Sequence, residues 1–467
     1  MAADPLALLR SKSYVQLLVL AALIGAPISA LAYGYLKLVA VLQKELFDDL
    51  PGQLGFASTP AWWPLPLLVI AGLLTAPAIR FLPGHGGHSP ADGFKASGAV
   101  PPIDLPGIFA ASLATLAFGA VLGPEAPLIL MGSGLGVLAM RLAARGAPDR
   151  AAAIIAAAGS FAAISSLLGS PLVGAFLLLE AAGLGGPMLG VVLLPGLLAA
   201  GLGSLIFVGL DSLTGFGTLT LAIPDLPPVG PPTVTWLLWA LAFGLVAPFG
   251  GRAITALAIA VRTVVEPRML LAMPVLGLLI GGLAVAFDQV TTGHSTSYVL
   301  FSGQDAIGPL ITGASGWSVG ALLAVLAAKG LAYSLSLSSF RGGPVFPALF
   351  LGAAGGVAAS HLPGLPLVPA VAMGIGAMST TMLRLPLTSA LLAALLLGSD
   401  GTNVLPVVIV AVVVSHVVTA RLTPVHPDQV MTEPPPDQSI APWPPPSPPS
   451  ADRPPAPEPA TSSPPTS

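Results

Sequence analysis

Long stretches without a charged residue are the feature that most constrains this 467-residue chain. Only 8% of its residues are charged, against roughly 25% in soluble globular domains. About 20 consecutive apolar residues cross a bilayer as one helix. The chain is therefore predicted to be an all-α polytopic protein of the lipid bilayer, and not a soluble enzyme or a nucleic-acid binder. The charge-free intervals include residues 13–36, 51–79, 151–179, 181–210, 226–251, 269–287, 306–328, 342–383 and 401–420.

Glycine and proline interrupt several of these intervals, most clearly residues 342–383. Irregular backbone at membrane depth is tolerated only where protein buries it or water reaches it. The pattern predicts broken and re-entrant helices whose ends meet inside the bundle. The chain has no cysteine, which excludes disulfides and thiolate metal centres, and no cofactor is predicted.

The two ends of the chain are predicted to be cytoplasmic. Arg10 and Lys12 precede the first charge-free interval, and basic residues favour the cytoplasmic side. No secretory signal pattern precedes them. Residues 432–467 hold 15 of the 51 prolines and a net charge of −3, so residues 431–467 are predicted to be a disordered cytoplasmic tail. A multi-pass position in a cell membrane, with the bacterial cytoplasmic membrane favoured, follows from these features.

An internal repeat organises the membrane body, predicted to cover residues 1–430. Residues 124–137 align without gaps on residues 344–357, with five identities at an offset of 220. Pro171-Leu172 recurs as Pro386-Leu387 at an offset of 215. Duplication with interrupted helices in corresponding places is typical of transporters whose binding site lies between the repeats. The predicted halves are residues 1–222 and 225–425.

The first candidate site is a proline-flanked helix start in residues 119–127. Proline is favoured in the first turn of a helix, and a helix N-terminus presents unpaired amides and partial positive charge. Glu125 lies at this terminus and is the only ionisable residue between Asp104 and Arg141. Its carboxylate is expected to compete with a mobile anion for the site and to leave the site when it is protonated. We therefore interpret Glu125 as a gate or a proton carrier. Helix capping is the alternative role.

The repeat supplies a second helix start, with Val345 at the place of Glu125. Two such termini are expected to bind an anion weakly enough for release. Arg341 precedes the second terminus, where it adds positive field or forms a loop salt bridge. The predicted anion-binding residues are Gly123, Pro124, Ala126, Pro127, Gly342, Gly343, Val345 and Phe346.

The order of these motifs resembles the CLC family of chloride channels and proton/chloride antiporters. The resemblance covers most of residues 80–400 and is sharpest at residues 123–127 and 342–347. It implies a CLC-like inverted-repeat homodimer that carries chloride or a similar small monovalent anion, without enzymatic activity. By position, Glu125 matches the gating glutamate of the family, and Val345 and Phe346 match the segment whose amides hold the central anion.

Other positions depart from the family pattern. Ser89 matches the anion-coordinating serine only through the loose motif 86–90. The C-terminal anion-coordinating tyrosine of the family is missing, because no tyrosine follows Tyr333. Glu180 matches the first of two acids at a helix end, and Ala181 replaces the second, which transfers protons in antiporters. Glu180 is therefore a proton-pathway candidate or a helix cap, and passive channel-like flow is favoured over proton coupling.

Two functional alternatives remain open at this point. Residues 313–316 resemble the Gly-x-Ser-Gly of rhomboid intramembrane proteases, with Ser315 as nucleophile and His361 as base. A CLC-derived scaffold that no longer conducts is the other alternative. Lys329 is expected to extend from a helix end towards the membrane surface, and the loop residues His85, His88 and Asp92 are expected to form a polar connection rather than a metal site.

Overall fold

The computed structural model describes residues 9–95, 98–144, 146, 148–183, 187–215, 221–223, 226–291, 293–398 and 401–423. One compact unit covers the described residues from Lys12 onwards. The predicted tail, residues 431–467, lies outside the described residues. The domain boundaries predicted from the sequence stay predictions.

The first half of the body contains eight α-helices in the part of the chain that the structure describes. The first, α1, continues through a π-helical turn at Glu45–Asp49, and α7 begins with Ser170 capping the amide of Val173. The bounds are α1 Lys12–Lys44, α2 Leu50–Gln53, α3 Pro64–Phe81, α4 Leu105–Ala117, α5 Glu125–Ala143, α6 Asp149–Leu168, α7 Pro171–Ala181 and α8 Pro187–Thr214.

Among the described residues, the second half contains another eight α-helices, and its last four repeat the order of long and short helices found in α5–α8. The bounds are α9 Val234–Val265, α10 Met269–Thr291, α11 Gln304–Thr312, α12 Val319–Ser339, α13 Val345–Ser360, α14 Leu367–Leu383, α15 Pro386–Leu396 and α16 Gly401–Leu422.

Eight helical segments of the described residues are long and apolar enough to cross a membrane. Shorter apolar helices lie between them, among them α7, α13, α14 and α15. These short helices begin at or just after proline, as the interrupted intervals predicted. No β-strand occurs among the described residues. The predicted fold class, an all-helical membrane protein with broken helices in two repeated halves, is confirmed.

The packing of the two halves repeats along with the sequence. Helix α5 packs on α6 as α13 packs on α14, and α6 packs on α8 as α14 packs on α16. Gly132 of α5 contacts the backbone of Gly159 in α6, and Gly352 of α13 contacts the backbone of Gly374 in α14. A side chain at these positions would collide with the facing helix. The identity of Gly132 and Gly352 in the aligned repeat therefore has a packing cause.

Candidate functional site

The two repeated helix starts meet at a pair of backbone hydrogen bonds. The amide of Gly123 donates to the carbonyl of Gly343 at 2.8 Å, and the amide of Gly343 donates to that of Gly123 at 2.6 Å. This isolated bridge joins the loop before α5 to the loop before α13. Because each loop satisfies polar groups of the other, irregular backbone is stable here inside an apolar body. We call this bridge the seam.

Glu125 is the first residue of α5 and lies directly beside the seam. Its side chain is fully buried, and its Oε1 accepts a hydrogen bond of 2.9 Å from the amide of Phe346 in α13. Its Oε2 is buried and has no hydrogen-bond partner among the described residues. A carboxylate from the first half thus occupies the amide-lined helix start of the second half.

Two glycines make room for this carboxylate. A Cβ atom at Gly343 would overlap Oε2 of Glu125, and a Cβ atom at Gly123 would overlap both carboxylate oxygens. Glycine is the residue that permits so close an approach to backbone. The space that holds the carboxylate oxygens is therefore bounded by backbone, as expected of a small-anion site.

The remaining residues predicted for anion binding surround the same point. Pro124 and Pro344 immediately precede α5 and α13, so each missing amide falls where a helix has unpaired donors anyway. Pro127, Gly342, Val345 and Phe346 are buried, and Ala126 is half-buried. The structure brings both predicted termini together with Glu125, and the anion-binding role of each residue stays a prediction.

Helix α12 backs the site with three polar side chains that the sequence analysis did not assign to it. Tyr333 donates through its hydroxyl to the carbonyl of Pro344 at 2.8 Å, and the Oγ of Ser336 accepts from the amide of Val121 at 3.0 Å. Lys329, Tyr333 and Ser336 are spaced four and three residues apart, which places them on one face of a helix. This spacing of polar residues in an otherwise apolar helix is the sequence signal that indicates a polar face packed on the site.

Lys329 does not extend towards the membrane surface, so that expectation is wrong. Its side chain is fully buried in the middle of α12. The Nζ atom donates to the carbonyls of Tyr298, Val299, Leu300 and Phe301 at 3.0–3.4 Å, and it lies 4.5 Å from the ring centre of Phe350. The ammonium thereby fixes the turn 298–301.

The turn held by Lys329 borders a cavity of about 740 Å³ with both polar and apolar lining residues. The amide of Phe301 also donates to the carbonyl of Gly119, in the loop that leads to Glu125, at 3.1 Å. The cavity therefore borders a turn that is hydrogen-bonded to the loop before Glu125. Charged groups of both signs line it, namely Lys44, Asp48, Asp288 and Asp305.

The loop with Ser89 lies towards the C-terminal end of α12, which finishes at Ser339. The Oγ of Ser89 is buried without a hydrogen-bond partner among the described residues. Arg341 donates from Nε to the carbonyl of His85 at 3.3 Å, so the loop and the second helix start are joined. No group of three metal-binding side chains occurs in the part of the chain that the structure describes.

Glu180 lies near the end of α7 and contacts the start of α15 in the other half. Its carboxylate accepts hydrogen bonds from the amides of Leu387 and Thr388 at 2.9 and 2.8 Å, and from the Thr388 hydroxyl at 2.6 Å. The structure thus places this acid as a helix cap, which was one of its two expected roles. The proton-pathway role stays a prediction.

Ser315 and His361 are both exposed, Ser315 in a short 3₁₀ turn and His361 just after α13. No hydrogen bond joins the two side chains within the described ranges. Their arrangement offers no support for a serine–histidine catalytic pair.

Comparisons with known proteins agree on one family. A sequence model described as voltage gated chloride channel matches residues 80–420. The chain is 29% identical over 439 residues to YfeO of Escherichia coli (strain SMS-3-5 / SECEC), named as an ion-transport protein, covering 92% of this chain and 99% of the relative. It is 30% identical over 377 residues to YfeO of Escherichia fergusonii, covering 78% and 84%.

Solved structures have the same fold at lower identity. A slow cyanobacterial Cl⁻/H⁺ antiporter is 19% identical with a TM-score of 0.70, covering 87% of this chain and 94% of that one. A CLC-type fluoride/proton antiporter is 19% identical with a TM-score of 0.64, covering 87% and 96%.

Proposed function

Because the chain belongs to the voltage-gated chloride channel family and transports chloride, we propose that Glu125 gates the anion path where the two halves meet. The expected cargo is chloride or a similar small monovalent anion. The resemblance drawn from the sequence is confirmed at the level of the family, and the intramembrane protease alternative is not favoured.

The observation that carries this proposal is the position of the Glu125 carboxylate. Its Oε1 accepts from the amide of Phe346, which is the kind of donor that a mobile anion would need. A hydrogen bond to a charged group contributes about 1.5–3 kcal/mol. A mobile anion and the Glu125 carboxylate would therefore gain similar hydrogen-bond energy from the Phe346 amide and compete for it. Protonation of Glu125 removes its charge, weakens this hydrogen bond and leaves the amide to the anion.

Passive anion flow is the favoured mode. Ala181 stands where the family's antiporters have a second acid, and Ala181 has no group that can carry a proton. Glu180, the neighbouring acid, accepts three hydrogen bonds from the start of α15. Neither residue is then available to deliver protons to Glu125, so we propose that chloride moves without a fixed proton ratio.

The surroundings of the transporter are part of the proposal. Family resemblance supports a homodimer with one path per subunit. The basic residues Arg10 and Lys12 before the first span support a cytoplasmic N-terminus. The low charge and absence of cysteine fit a bacterial cytoplasmic membrane, with both termini on the inner side.

The test is simultaneous measurement of chloride and proton movement from proteoliposomes. Wild-type protein should release chloride down its gradient with no stoichiometric proton counterflow. Glu125→Gln keeps an acceptor oxygen but has no charge, so it should release chloride about tenfold faster and lose its dependence on pH. Glu45→Gln, at an exposed acid in the π-helical turn after α1, is the matched control.

Each alternative has its own outcome. Wild-type rate and pH dependence in Glu125→Gln would defeat the gate. A fixed chloride-to-proton ratio would replace passive flow with exchange. Absence of chloride release from a well-folded preparation would favour the non-conducting scaffold.

A further inference from the structure

Arg341 is a buried cation next to the seam. It lies between the end of α12 and Gly342-Gly343, and only 8% of its surface is exposed. Its own amide donates to the Thr115 hydroxyl oxygen at 3.1 Å, which fixes its backbone. A guanidinium stays charged at every physiological pH, so this position carries a permanent positive charge.

Neutral oxygens are its hydrogen-bond acceptors. Nε donates to the carbonyl of His85 at 3.3 Å, and Nη1 donates to the carbonyls of Ser339 and Phe340 at 3.2 and 3.4 Å. Within the described ranges, no carboxylate lies within ion-pair distance of Arg341, and Nη2 makes no hydrogen bond. Buried charges are normally paired, so this one has capacity for an anion.

Two acids act on Arg341 electrostatically, but neither forms an ion pair with it. Asp92 is paired with Arg262 at 2.6 Å, so its charge is already balanced. Glu266 acts on Arg341 electrostatically but forms no ion pair with it. The formal charges of Arg341, Arg262, Asp92 and Glu266 therefore balance, but no carboxylate among the described residues contacts the guanidinium directly.

A second polar group in the same loop lacks a partner. Ser89 lies four residues after His85, the residue whose carbonyl binds Arg341, and its buried Oγ has no hydrogen-bond partner among the described residues. Gly86 packs so closely on Arg341 that a Cβ there would lie 3.1 Å from Arg341 Cγ. The loop and the arginine thus form one surface.

We propose that Arg341 is a loading site that holds a small monovalent anion at the 85–89 loop before it reaches the amides beside Glu125. This inference rests on the proposed anion transport and assigns to it the residue that sets the affinity for entry. Nη2 is the free donor of the site. Two charges a few ångströms apart at a partly solvated site interact strongly enough to change occupancy about tenfold or more.

The experiment measures the chloride concentration at half-maximal release from proteoliposomes, together with chloride binding by calorimetry in detergent. Arg341→Gln should raise the half-maximal chloride concentration and the chloride dissociation constant about tenfold each. Arg341→Lys keeps the charge but loses the guanidinium's hydrogen-bond pattern, and should stay within about threefold of wild type. Arg252→Gln, at an exposed arginine of α9, should match wild type.

The variants separate charge from structure. Equal impairment of Arg341→Gln and Arg341→Lys, or an unchanged half-maximal concentration in Arg341→Gln, would overturn the loading site. If Arg341→Gln does not fold, Arg262→Gln is measured instead. Arg262→Gln leaves Asp92 without its ion-pair partner, so the carboxylate is free to offset the charge of Arg341, and the chloride concentration at half-maximal release should rise. An unchanged concentration in Arg262→Gln would also overturn the proposal. Absence of release by wild type would instead count against the transport function.

Discussion

Replacing Glu180 distinguishes a helix cap from a proton carrier. The carboxylate accepts two amides and one hydroxyl at 2.6–2.9 Å. The amides of Leu387 and Thr388 lie in the first turn of α15 and have no intrahelical acceptor. Three bonds to a charged acceptor would sum to several kcal/mol in a dry site. Because Glu180 is only half-buried, we expect Glu180→Ala to cost about 2–3 kcal/mol.

Glu180→Gln keeps one acceptor oxygen and loses the charge, so its cost should be about 1 kcal/mol. The assay is thermal unfolding of the purified protein in detergent, with chloride and proton movement measured on the same preparations. Both variants should melt earlier than wild type, in the order Ala before Gln, and neither should alter proton movement per chloride at temperatures where they are folded.

The refuting result is specific. A Glu180→Gln protein that melts like wild type but moves fewer protons per chloride would make Glu180 part of a proton path. The Glu45→Gln variant again serves as the control, since that exposed acid makes no ion pair within the described ranges.

Three further predictions follow from the packing. Lys329→Met leaves four carbonyls without their shared donor and should lower the free energy of unfolding by about 3 kcal/mol; an unchanged melting temperature would contradict this. Gly343→Ala should displace the Glu125 carboxylate, which would appear as chloride release with weakened pH dependence; wild-type pH dependence would argue against it. Gly352→Ala should destabilise the protein, because its Cβ meets the backbone of α14. The Cβ of Gly355→Ala meets no atom within 4 Å, so this variant should raise the free energy of unfolding by about 0.5–1 kcal/mol. Equal melting temperatures of the two variants would contradict the contact at Gly352.

Much of the architecture could be predicted from the chain because its causes are local. Charge-free intervals indicated the spans, glycine and proline marked the breaks, and the 220-residue offset indicated the two halves. Glu125 could be placed at a helix start because Pro124 and Pro127 flank it. These signals depend on neighbours in sequence, and the structure has α5 beginning at Glu125.

The partners of the site could not be predicted, because they depend on contacts between distant segments. Phe346 lies 221 residues from Glu125, and Thr388 lies 208 residues from Glu180. The error over Lys329 has a related cause. A charge after an apolar interval indicates the end of a span, yet α12 continues to Ser339 because four carbonyls from another segment accept hydrogen bonds from the ammonium.

The seam limits what kind of movement opens the path. Two short hydrogen bonds clamp the loops of Gly123 and Gly343 together, so rocking one half against the other would break them inside the bilayer, where no water replaces them. In the gating that we propose, the moving part is then the Glu125 side chain, which turns about a few single bonds. Side-chain rotation takes nanoseconds when unhindered, far less than the microseconds to milliseconds of domain motion. The backbone of the two halves can therefore stay fixed while the Glu125 side chain rotates.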